Sequence, residues 1–246
     1  MAGAPSVEHE LALSHERYFL FAFALPLVAG AVLEASVVAI SDRLDRRRLL
    51  AISQTALAAS LFAVAFSSDP WALALALAAA GTTSGIGCGV AQAAMIAEND
   101  RAADRAMLEW SLFSSVGDML TPIVTAAVLA CGHTYRFAMA LIGVVVLAQS
   151  IGSYVRHREG NAPALAEDGR PHASISQVFS RAIRMPRLWI WLFAAASCTL
   201  LDEIVIAIVA LRLVREGHAT EPAAVLAAVF FAAGAALGAP LADRAL

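Results

Sequence analysis

Val38-Ala39-Ile40-Ser41-Asp42-Arg43-Leu44-Asp45-Arg46-Arg47-Arg48 is the stretch that decides how this chain is read. It separates two apolar runs, Tyr18–Ser41 and Leu49–Phe66. Each is close to or beyond the roughly 20 helical residues that cross a hydrocarbon core. A sudden acid–base cluster between two such runs is a turn at a membrane surface. Five more runs follow: Trp71–Ala97, Met107–Ala130, Phe137–Val155, Leu188–Leu211 and Pro222–Ala242. They are rich in Ala and Leu and do not alternate polar with apolar, which predicts helices and not barrel strands. The composition agrees: 60% hydrophobic, 15% charged, with mean hydropathy +0.72. A soluble domain carries about a quarter charged residues. The expected fold class is therefore an all-α integral membrane protein with about seven transmembrane helices.

Arginine orients these helices. All 17 basic residues are Arg. With strict alternation of sides, Arg43, Arg46, Arg47, Arg48, Arg101, Arg105, Arg156, Arg158, Arg170, Arg181, Arg184, Arg187 and Arg244 share one side. Only Arg17, Arg136, Arg212 and Arg215 share the other. The positive-inside rule places the larger set in the cytoplasm, so the N-terminus is expected outside and the C-terminus inside. Residues 1–17 then form an extracytoplasmic segment, 18–155 a first bundle of five spans, 156–187 a cytoplasmic linker, and 188–246 the start of a second bundle with two spans. Within the linker, Ser174 to Arg187 suits a short amphipathic helix at the membrane surface, or a plain connection. The N-terminal residues lack the basic start of a secretory signal. No basic stripe suggests nucleic acid as a partner.

Four carboxylates fall well inside the spans: Glu34, Asp118, Asp202 and Glu203. An acid near the bilayer centre costs about 2.5–3.5 kcal/mol on insertion scales, so each is expected to face the bundle interior or an aqueous cavity. An ionised carboxylate is expensive there and a protonated one much less so, which is the chemistry that proton coupling needs. These four are the candidates for proton coupling or substrate contact; a structural, hydrogen-bonded acid is the other reading of each. The six histidines all fall outside the spans, so no histidine relay is expected. Cys88, Cys131 and Cys198 are isolated and form no metal or redox pair; they read as small packing residues. No cofactor or metal is expected. Gly81, Gly85 and Gly89 recur every four residues, placing a smooth strip on one helix face for close helix packing.

The Asp-Arg turn carries more than topology. Asp42, Arg43, Arg46 and Arg47 match, position by position, the signature loop of the major facilitator superfamily, Gly-x-x-x-Asp-Arg-x-Gly-Arg-Arg, with Val38 and Asp45 in place of its glycines. Gly238-Ala239-Pro240-Leu241-Ala242-Asp243-Arg244 resembles the copy of that loop in the family's second half. Paired motifs are what an internally repeated transporter shows. The resemblance implies alternating access, with the Asp42–Arg47 loop gating the cytoplasmic face and Asp243 and Arg244 as its second copy. It aligns the seven spans with family helices 2 to 8, so the chain reads as incomplete relative to a twelve-helix transporter and is not expected to transport by itself. Gly117-Asp118-Met119-Leu120-Thr121-Pro122 is similar in placement to the Gly-Pro motif of the family's antiporters, with Thr121 where that motif has Gly.

The function this implies is secondary-active transport in the cell inner (plasma) membrane, with proton-coupled efflux of a small organic molecule as the first reading. Its partners are then the substrate, protons and the lipid bilayer. The alternatives are proton-coupled uptake, a non-transporting seven-helix receptor or structural protein, or a truncated gene remnant. A membrane enzyme would need a nucleophile–base pair or a metal cluster at membrane depth, and the sequence offers neither.

Overall fold

The computed structural model describes residues 7–8, 10–11, 13–30, 32–33, 46–98, 103–159, 180, 183–186, 189–190, 193, 205–206, 208–227, 229–230 and 233–234. Every regular element among them is helical. In hydrocarbon each backbone N–H and C=O must find a partner within the protein, and a helix satisfies them within one segment. We label α1 His15–Phe19, α2 Arg46–Phe66, α3 Pro70–Glu98, α4 Ala103–Ala130 and α5 Tyr135–Glu159. The last four are each long and apolar enough to cross a membrane, over Arg48–Phe66, Pro70–Ile96, Arg105–Ala130 and Tyr135–Val155. They coincide with the second to fifth runs expected from hydropathy. The Leu188–Leu211 and Pro222–Ala242 runs are described only in pieces, the longest being helical residues 208–215 and 221–227.

Local sequence sets where these helices begin and end. Asp69 caps α3, its Oδ1 accepting from Trp71 N at 2.9 Å and Ala72 N at 3.0 Å. Pro70 then occupies the first helical position, where a missing N–H removes no bond. α4 ends in a Schellman turn. Gly132 N donates to Leu129 O and His133 N to Val128 O. Gly132 sits at φ 80°, a conformation glycine adopts without a Cβ clash. α1 continues into a π-helical turn, Leu20–Ala24, in which Leu25 N donates to Leu20 O across five residues.

α2 is the centre of the packing. It lies along both α3 and α5, whereas α4 touches α3 and α5 only lightly. Two glycines allow the close approach. A Cβ on Gly87 of α3 would stand 3.1 Å from Ser53 Oγ, and one on Gly143 of α5 would stand 3.4 Å from the Phe62 ring and 3.5 Å from Ala58 O. A Cβ on Gly81 or Gly89 would meet nothing within 4 Å, so of these three glycines Gly87 makes the close approach. Thr55 and Ser150 hydrogen bond between α2 and α5 at 2.9 Å. Cys88 and Cys131 are exposed, so these two thiols do not fill interior gaps as the sequence suggested. On the outside, Ile52, Phe66, Trp71, Leu75, Val144, Val145 and Ile151 are all more than half exposed. In water such a surface would drive aggregation; in a bilayer it is the lipid contact.

Gly143→Leu should therefore destabilise the bundle by about 1–3 kcal/mol through overpacking against α2. Gly81→Ala should be neutral or slightly stabilising. Thermal unfolding in detergent, followed by circular dichroism, measures both; equal effects would remove Gly143 as a close-packing position.

Candidate functional site

α4 carries an acid at membrane depth, Asp118, besides Glu109 near its N-terminal end. Asp118 is exposed near the middle of the helix, on the part of its surface that α3 and α5 leave uncovered. It does not stand alone. Ser111, Ser114, Ser115, Thr121 and Thr125 recur with it at steps of three and four, which confines all six to an arc of about 120° at 100° per residue. Phe113, Val116, Leu120 and Ile123 are exposed by 76%, 51%, 53% and 40% and lie about 180° round the helix from the polar arc. α4 is thus amphipathic at membrane depth. Its apolar side suits lipid, and its polar side needs water, solute or a polar neighbour.

The hydroxyls on this arc are prepared for that contact. Ser115 Oγ donates to Ser111 O at 3.0 Å, Thr121 Oγ1 to Gly117 O at 3.1 Å, and Thr125 Oγ1 to Thr121 O at 2.9 Å. Each of these hydroxyl hydrogens is satisfied within the helix; Thr125 is fully buried, whereas exposed Thr121 and half-buried Ser115 keep oxygen lone pairs to accept from outside. Pro122 stands inside the helix and brings no N–H to its backbone ladder. A Cβ on Gly117 would meet nothing within 4 Å, leaving room beside the carboxylate. The arc is acceptor-rich and carries no cation. The charged pair on this helix, Arg105 with Glu109 at 3.1 Å, is exposed toward the N-terminal end.

The remaining candidates are placed only in part. Glu34, Asp42, Arg43, Asp202, Glu203, Asp243 and Arg244 lie outside the described residues, as does most of the 156–187 linker with its expected surface helix. Arg46 and Arg47 open the first turn of α2; their side chains are outside the description. The serines and threonines around Asp118 were not singled out from sequence, although their recurrence every three or four residues was a usable signal.

Cysteines introduced at Ser111, Ser114 and Thr121, in a protein whose native cysteines are replaced, should react with a membrane-impermeant polar thiol reagent at least about tenfold faster than cysteines at Phe113, Val116 and Leu120. Equal labelling of both sides of α4 in membranes would remove the polar arc as a water-facing surface.

No curated protein matches the chain. The family model described as Major Facilitator Superfamily matches residues 2–245, nearly the whole of the 246-residue sequence. That family consists of transporters and not enzymes. Membership carries the multi-pass membrane location, a small-molecule substrate and secondary transport as its mode of action. The helices described above and the matched span agree, and the chain belongs to the major facilitator superfamily.

Proposed function

We propose that this protein moves a neutral or cationic small organic molecule out of the cell in exchange for protons, along a path bordered by the polar arc of α4. The observation that carries the proposal is the placement of Asp118 among five hydroxyls on one side of an otherwise apolar helix. Such an arc accepts hydrogen bonds and attracts positive charge, and it offers no guanidinium or ammonium to hold an anion. A carboxylate in this setting can exchange a proton for a cationic or donor-bearing solute, since each neutralises the same charge. Glu34 and Glu203, with Asp202 beside it, are further candidates for the coupling acid. The Asp42–Arg47 turn, with Asp243 and Arg244 as its counterpart, would latch the cytoplasmic side. Proton-coupled uptake uses the same groups with the gradient reversed.

In membrane vesicles carrying the complete transporter, with an imposed pH gradient and screened with fluorescent organic cations, Asp118→Asn should abolish accumulation while sparing exchange of solute for solute. The amide mimics the protonated acid and cannot cycle. Loss of accumulation should exceed about tenfold if the carboxylate carries the proton. Wild-type accumulation with unchanged pH dependence in Asp118→Asn, Glu34→Gln and Glu203→Gln alike would overturn proton coupling through these acids.

The proposed location is the cell inner membrane, with the N-terminus outside and the 156–187 segment in the cytoplasm, on the strength of the arginine distribution. A cysteine replacing Glu167 should resist impermeant maleimide in intact cells and react once the membrane is opened; labelling in intact cells would reverse the orientation.

A further inference from the structure

At the end of the bundle where α2 finishes and α5 starts lies a short stretch of chain of which Val7, Glu8, Glu10 and Leu11 are described. Leu11 N donates to Val7 O at 3.0 Å and Leu13 N to Glu8 O at 3.0 Å, which folds this stretch into a short helical turn. Val7 is 7% exposed and packs in one apolar cluster with Tyr18, Phe23, Leu73, Tyr135 and Leu211. Two carboxylates leave the turn in different directions. Glu10 Oε2 accepts from Arg136 Nε at 2.6 Å, and Arg136 Nη1 also donates to Ala65 O, near the end of α2, at 3.0 Å. Glu8 Oε2 accepts from Arg215 Nη2 at 2.6 Å. Arg136 belongs to α5, before the 156–187 linker, and Arg215 ends the helix of residues 208–215, after it. One turn of chain therefore joins both parts of the molecule at the end remote from Arg46 and Arg47.

We infer that Glu8 and Glu10 form a strap that holds this end of the transport path closed by clasping Arg215 and Arg136 together. The inference rests on the alternating-access reading above. The strength of the clasp suits a reversible contact. Its bonds are short and charge-assisted, yet Arg215 is 52% exposed and Arg136 31%, so water and salt compete for both. The closed arrangement also leaves something to gain on opening. The Tyr135 hydroxyl is buried with no hydrogen-bond partner among the described residues, and water reaching it would satisfy it. A purely structural cap would be expected to satisfy that group. The carboxylates on the strap and the arginines facing it make opening sensitive to charge at four named positions.

The test needs no substrate, so its outcome is independent of whether the solute or the coupling acid is correctly assigned. Spin labels are placed at Cys131, beyond the end of α4, and at Thr220→Cys, beyond the helix of residues 208–215, with Cys88 and Cys198 replaced by Ala. Distances are measured by double electron–electron resonance in lipid nanodiscs. Wild type should show one dominant distance. Glu8→Gln combined with Glu10→Gln should raise the longer-distance population at least threefold, and Glu8→Arg with Arg215→Glu should return it towards wild type. Raising salt to about 1 M, where the screening length falls to about 3 Å, should lengthen the wild-type distance and leave the double amide variant unchanged. This arm uses the unaltered strap and holds even if the swapped pair folds poorly. An unchanged distribution in the double amide variant, or no response of wild type to salt, overturns the strap whatever the transport assays show.

Discussion

A backbone amide in hydrocarbon has no water to bond, and that constraint governs everything else in this molecule. It makes each spanning segment a helix, and it confines irregular backbone to the ends. The turns accordingly carry their own solutions: the Asp69 carboxylate on two free N–H groups, and the Schellman turn at Gly132. With the backbone satisfied inside each helix, and with lipid as apolar as leucine, little pulls the helices together except close contact and polar pairs. The Gly87 and Gly143 approaches to α2, and the Thr55–Ser150 bond, are such contacts.

The same constraint makes polarity at membrane depth informative. α2 turns its hydroxyls toward neighbours, and its bond to Ser150 is half buried. α4 instead keeps Ser111, Ser114, Asp118 and Thr121 exposed. Two long apolar helices thus differ: α2 is the centre of the packing, and α4 keeps most of its polar side chains exposed.

The helices were legible in the sequence because each span is a long apolar run with charged or turn-forming ends. The edges of the second to fifth runs fall within a few residues of α2 to α5. Asp118 was legible because an acid in hydrocarbon is rare. Its hydroxyl companions were less visible, since Ser and Thr are tolerated anywhere in a membrane helix that bonds them to its own carbonyls. The glycine repeat on α3 identified a face, and spacing alone does not name its neighbour. Gly87, one position of many on the same helix, meets Ser53. Least legible was the N-terminal turn. Val7, Glu8 and Glu10 look like a polar leader, and their role depends on Arg136 and Arg215, which are more than a hundred positions away.

The π turn at Leu20–Ala24 has a bearing on how this lineage can change. Such a turn is what remains when an α-helix absorbs one surplus residue without unwinding, and it advances everything downstream by about 100° about the axis. Gly30 reaches the neighbourhood of Thr82, at 3.7 Å from an ideal Cβ, with that advance included. Helical-wheel comparison of residues 15–19 with residues 25–30 is therefore out of phase unless one position is skipped. A relative lacking one residue here could keep both faces aligned simply by reverting to an α turn, so alignments of this helix should admit a gap at 20–24 where a uniform helix would forbid one.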